Sequence, residues 1–214
     1  MRYKRLLYLV FFWSSLLQGQ QLSSKNIAVN PQKKLNIDLT YVAHFEIDTH
    51  QEGFIQTELT AEGEYSDMFN LAILESEESY DISLSKNPLY ANFNDKLSAH
   101  KVLAITLRIS VPSKIALDID GLNSIVYTKG DYRELNVFLN EGVCHLHHNS
   151  IKSKIITAKA DVYLEMSSIP ELVFFQSAFA NAPINETLEK DALWIIKSRE
   201  GNIYRYNKEE NEYR

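Results

Sequence analysis

From residue 45 the chain alternates. Phe45-Glu46-Ile47-Asp48, Phe54-Ile55-Gln56-Thr57-Glu58-Leu59, Phe69-Asn70-Leu71-Ala72-Ile73 and Tyr80-Asp81-Ile82-Ser83-Leu84 place apolar side chains at about every second position. The longer run from Val102 to Val111 does the same and stops at Pro112. Successive side chains on a strand point to opposite faces, so each run predicts a strand buried on one face. Turn-forming stretches separate them: Gln51-Glu52-Gly53, Glu62-Gly63-Glu64 and Asn92-Phe93-Asn94-Asp95. Helical periodicity is nearly missing, with Glu186 to Leu193 suited to one short helical turn. The pattern predicts an all-β protein.

After Pro112 the alternation becomes a repeat. Leu117 to Tyr127 aligns without a gap on Leu135 to His145, 18 residues further on, and Ile155 to Tyr163 follows at the same step. Ile196 to Tyr204 repeats the form after 41 residues, leaving room for one degenerate unit at Phe175-Gln176-Ser177, leading to Ala180. Each unit carries a small residue (Ser124, Gly142, Ala160, Gly201), then an apolar one (Val126, Cys144, Val162, Ile203), then a ring (Tyr127, His145, Tyr163, Tyr204). The apolar column is expected to face inward and the ring column outward. Two short strands and a corner per unit suit a single-stranded, β-helix-like β-solenoid with coils of 18 to 21 residues. Five coils would make a segment on the order of 24 Å long. The alternative is a β-sandwich whose turns recur at similar spacing. The division expected is an N-terminal β region at 35–111 packed on or capping the solenoid, repeats at 112–206, and a charged tail at 207–214 suited to ending strand pairing.

The first residues change the picture of where the chain works. Met1-Arg2-Tyr3-Lys4-Arg5 is basic, and the twelve residues Leu6 to Leu17 are mostly apolar, short of the roughly 20 that a membrane span needs. Residues 1–19 therefore read as a secretory signal peptide, cut near Gly19 or Gln20, with an uncleaved anchor as the alternative. No transmembrane segment is expected in the mature chain. The net charge of the full sequence, −6, includes three leader cations, which leaves the mature region near −9. An acidic chain without a basic stripe lacks the footprint of a nucleic-acid binder and suits anionic membrane surfaces poorly. The single cysteine, Cys144, rules out an intramolecular disulfide, so the core alone must hold the domain.

Candidate chemistry is sparse. Cys144-His145-Leu146-His147-His148 has zinc-ligand residue types. In the repeat register, however, Cys144 points in and His145 out, with His147 and His148 at the strand end or turn, so they do not converge. Asp118 and Asp120 share an outward face and are the best carboxylate pair for calcium or acid–base work. Their equivalents one unit on are Asn136 and Phe138, so no wider acidic cluster forms there. Gly-x-Ser-x-Gly, phosphate-cradling glycine loops and His-Glu-x-x-His do not occur. Asn185-Glu186-Thr187 matches a glycosylation triplet, a weak pattern. The row Tyr127, His145, Tyr163 and Tyr204 is the candidate binding surface, with plain cross-strand stabilisation as its other role.

Asp95-Lys96-Leu97-Ser98-Ala99-His100-Lys101-Val102, the strand end Ile109-Ser110-Val111-Pro112 and the small-(Asp/Asn)-(Val/Ile)-Tyr corners resemble the bacterial exported "putative auto-transporter adhesin, head GIN domain" proteins and related "putative adhesin" β-solenoids. The resemblance spans residues 40 to 206, departing where Ser124 and Ala160 replace a typical glycine. It implies a β-solenoid of short coils, export from a bacterial cell, and no established catalytic residues, so no site is carried over from it; no cofactor or metal is expected. The expected function is a noncatalytic, adhesin-like or envelope module binding an unknown protein or glycan, periplasmic rather than surface-exposed or secreted, because no C-terminal sorting module is evident after Tyr206. The alternative is a polysaccharide-acting solenoid enzyme.

Overall fold

A computed structural model describes residues 21–62, 68–88, 104–165, 170, 173–177 and 191–206. The expected leader, the charged tail, the stretch Asp95 to Val102, the triplet at Asn185 and most of the expected helical turn lie outside the described residues.

Among the described residues twelve strands follow in chain order: β1 (Gln21–Ala28), β2 (Lys34–Asp38), β3 (His44–His50), β4 (Phe54–Glu62), β5 (Phe69–Glu75), β6 (Ser79–Lys86), β7 (Ala104–Pro112), β8 (Ala116–Thr157), β9 (Asp161–Glu165), β10 (Val173–Ser177), β11 (Trp194–Ser198) and β12 (Ile203–Tyr206). All join one sheet, and the described residues contain no α-helix. The all-β expectation holds.

Along β8 the chain returns beside itself at the repeat spacing. Asn136 donates to Asp118, Asn149 to Asp131 and Ser153 to the Leu135 carbonyl, each pair 18 residues apart. β9 continues the step in parallel, with Cys144 beside Val162 and His145 beside Tyr163. At both ends, strand order departs from chain order. β2 and β3 pair in parallel with β8, Leu35 beside Leu117 and Phe45 beside Val126, and β6 and β7 lie outside them. β4 and β1 extend β7 antiparallel, and β5 extends β6. At the other end β11 pairs directly with β8, Trp194 beside Ser153, and β12 with β9, Ile203 beside Val162.

The degenerate unit expected at Phe175 to Ser177 forms a strand that pairs in parallel with β11, but it does not come between β8 and β11, and Ala180 lies outside the described residues. β10, which contains Phe175, lies on the outer side of β11. The hydrophobic pattern names which residues stack, but it carries no term for which neighbour arrives first.

One cluster of buried side chains, from Leu35 to Ile203, fills the space the strands enclose. Val126, Cys144 and Val162 are fully buried, as the inward column requires. Each buried aliphatic side chain contributes roughly 1.5–3 kcal/mol of transfer free energy. The corners show why their residues are small. A Cβ on Gly142 would stand 2.1 Å from the Ser124 carbonyl oxygen, and one on Gly201 2.1 Å from that of Ala160. Gly142 also holds φ at 117°, a region that side chains rarely enter. As a whole the sheet is nearly closed and barrel-like or sandwich-like. Its antiparallel flanks make it unlike a uniform stack of coils.

Candidate functional site

Side-chain alternation sets two outward faces apart. On one, Asn36 donates to Asp81 at 2.6 Å and Asn136 to Asp118 at 2.8 Å. With Asn36 beside Asp118 in the β2–β8 register, the column reads Asp81, Asn36, Asp118, Asn136. Each carboxylate thus meets an amide rather than a second carboxylate, which avoids like-charge contact across strands. Asp118 is also held by Lys34 Nζ at 2.5 Å. Asp120 stands beside Asp38, and burial together with the Asp118 and Asp38 charges raises its pKa. The carboxylate pair singled out from the sequence is therefore unequal: Asp118 is already occupied by a cation and an amide.

On the other face the four expected rings stack. Tyr127 lies on His145 with centroids 4.4 Å apart and planes 5° from parallel. His145 lies on Tyr163 at 4.9 Å and 17°, and Tyr163 on Tyr204 at 4.7 Å and 20°. His44 adds a fifth, tilted ring against Tyr127 at 5.2 Å. Spacings this close to the strand separation follow directly from in-register parallel pairing. Burial and the neighbouring imidazoles of His147 and His44 lower the pKa of His145, which favours the neutral ring within the stack.

The histidine cluster divides three ways. Cys144 is fully buried, and desolvation pushes its thiol up to about 12, so it is inert at neutral pH. His147 reaches outward, with Nδ1 2.9 Å from Glu165 and Nε2 2.7 Å from the Tyr206 hydroxyl. The carboxylate can only accept, so Nδ1 donates to it, and Nε2 faces the phenol hydroxyl. His148, expected in a turn, is instead a core residue. Its Nδ1 lies 2.9 Å from Thr128 Oγ1, its ring stacks on Trp194 at 4.8 Å, and burial pushes its pKa down to about 3. No group of three metal-ligating side chains converges among the described residues.

A groove of about 650 Å³ opens beside Tyr127, across β4, β7, β3, β8 and β9. Arg108 braces one side, with Nε 3.1 Å from Glu46 and Nη1 3.4 Å from Glu58. The Glu165–His147–Tyr206 chain braces the other. Glu46 is pulled below the ordinary carboxylate range: its hydrogen bonds from His44 and Arg108 outweigh the larger single effect of burial, which acts the other way. Alternation put Glu46, Glu58 and Arg108 opposite the apolar positions of their strands, but it had no signal joining Arg108 to Glu46, 62 residues away. An arginine lodged in the alternating 102–111 strand was the one available hint.

No protein-family model matches the chain, and a comparison with curated proteins returns no match. Solved structures do resemble it. A "putative cell adhesion protein" from Clostridium sporogenes ATCC 15579 superposes with a TM-score of 0.52 at 18% identity, covering 88% of this chain and all of that one. A "putative adhesin" from Bacteroides fragilis NCTC 9343 gives 0.37 at 11% identity over 88% of this chain and 99% of its own. The first likeness shows a shared all-β fold. Among the described residues no helix is long and apolar enough to cross a membrane.

Proposed function

We propose that the chain is a noncatalytic, exported bacterial binding module, adhesin-like or serving the envelope, whose binding face is the row Tyr127, His145, Tyr163 and Tyr204. The continuous ring stack beside an open groove carries this reading. Rings stacked this closely have turned their faces to one another and offer a partner their edges. Being already ordered, they lose little side-chain freedom when a protein or glycan docks. In this reading residues 112–206 are solenoid coils, 35–111 close one end, and 207–214 stop pairing at the other. The unbroken 18-residue parallel step through β8 and β9 supports it. So does the fold shared with the Clostridium sporogenes protein, which is described as a "putative cell adhesion protein". A polysaccharide-acting enzyme would need Asp118 and Asp120 to work as a pair, and Asp118 already accepts from Lys34 and Asn136.

Co-sedimentation of the purified chain with isolated cell envelopes tests this reading. Retention is expected, and at least fivefold weaker for the double variant Tyr127→Ser/Tyr163→Ser. Equal retention would reduce the row to a stabilising role. Release of sugars from a polysaccharide panel, lost in Asp118→Ala or Asp120→Ala, would replace the binding module with the enzyme. Export rests on the leader at 1–19, and protease shaving of intact cells, with a periplasmic marker, decides between periplasm and surface.

A further inference from the structure

The groove has a chemistry of its own. Its volume of about 650 Å³ lies within the roughly 300–1,000 Å³ typical of small-molecule sites. Two polar sets, one on either side of Tyr127, are held rigid by their own bonds: Arg108 between Glu46 and Glu58, and His147 between Glu165 and Tyr206. Such fixed groups can meet a ligand without first being ordered. Asp48, Gln56 and Lys129 also line the groove, are exposed, and make no side-chain hydrogen bond or ion pair among the described residues.

We propose that this groove binds a neutral oligosaccharide of about two or three sugar residues. A sugar hydroxyl both donates and accepts, so it can satisfy carboxylates, a guanidinium, an amide and an imidazole along one wall. Charge narrows the class. The acids Glu46 and Glu58 already share Arg108, Glu165 is engaged by His147, and the two uncommitted charges, Asp48 and Lys129, are of opposite sign. An anionic ligand would face four carboxylates, while a cationic one would find three of those four already engaged by Arg108 or His147 and only Asp48 open, offset by Lys129. An apolar ligand would strip water from these charges and return nothing for it. The inference rests on the reading of the chain as a binding module, but it needs only Tyr127 of the ring row.

Titration calorimetry of the mature chain with cellotriose, maltotriose and triacetylchitotriose tests it. Chitosan trimer and trigalacturonate serve as the cationic and anionic comparisons. Saturable one-to-one binding of at least one neutral probe is expected. It should weaken at least tenfold in Asp48→Ala/Gln56→Ala and stay unchanged in Leu74→Ser, on the far edge of the sheet. Both groove side chains are exposed and unbonded, so the double variant should keep its thermal midpoint. No binding by any neutral probe, preference for a charged trimer, or indifference to Asp48→Ala/Gln56→Ala would each overturn the proposal. Envelope retention without trisaccharide binding would end this inference and leave the binding module standing. Trisaccharide binding without envelope retention would leave the groove site standing and end only the role of the ring row as an envelope-binding face.

Discussion

Between residues 116 and 165 the chain lays each repeat beside the one before it, whereas the flanks arrive out of order. In the middle a constant 18-residue step carries rings, apolar residues and corners into register together. In the flanks β11 passes over β10 to reach β8, and β2 reaches β8 across the intervening β3 to β7. Short connections leave little choice of neighbour, while long ones leave the decision to packing. The same residue type should therefore matter most where it has partners on both sides.

Corners should show the largest contrast. Gly142→Val forces a side chain into a left-handed backbone and onto the Ser124 carbonyl, a loss of more than about 3 kcal/mol or of cooperative folding altogether. Gly53→Val, in a flank turn with nothing within 4 Å of the new Cβ, should change stability by no more than about 0.5 kcal/mol. Urea unfolding of both variants measures the difference.

Acid comes next, because His148 joins middle to flank through its stack on Trp194. Its pKa is about 3 folded and near 6.5 unfolded, so the unfolded chain binds the proton first. Stability from this residue is complete above about pH 6.5 and falls as pH drops towards 3. The Glu46 contribution has the other usual form, present above about pH 4.5 and lost below it. Urea midpoints between pH 7.5 and 5 thus exclude the carboxylate and leave His148 together with His145, whose pKa burial also lowers; the His148 variant separates the two. His148→Phe should be less stable at pH 7.5, because the Thr128 and Ser153 hydroxyls lose a partner, yet flatter across that range.

Ring loss should be smaller and graded by position. Tyr163 has a stacked ring on each side, and the described stack ends at Tyr204. Tyr163→Ser should cost about 1–2 kcal/mol and Tyr204→Ser about half as much. Equal losses would mean that stacking contributes little beyond area. Similar in size to the Tyr204 loss, Asn136→Asp puts a second carboxylate against Asp118, a penalty of about 0.5–1 kcal/mol that shrinks as salt is added.

Much of the ring face was legible beforehand. Tyr127, His145, Tyr163 and Tyr204 share a phase in the repeat, and in-register pairing brings residues of equal phase together. His148 was misjudged because a histidine beside a turn-like Asn-Ser reads as polar. Its burial depends on Thr128 and Trp194, 20 and 46 residues away, offering a hydrogen bond and a ring face. The groove was invisible for the same reason, since Arg108, Glu46 and Glu58 meet only after three strands have chosen their order.

By itself, then, the order of amino acids determined the all-β class, which side of each strand turns inward, the 18-residue register and the need for small corners. These follow from side-chain alternation and local sterics, which act within a few residues. Tertiary structure alone decided the order of the flanking strands, the near closure of the sheet, the burial of His148 and the lining of the groove. Those depend on which distant surfaces exclude water from each other best, a competition among whole strands that no local period encodes.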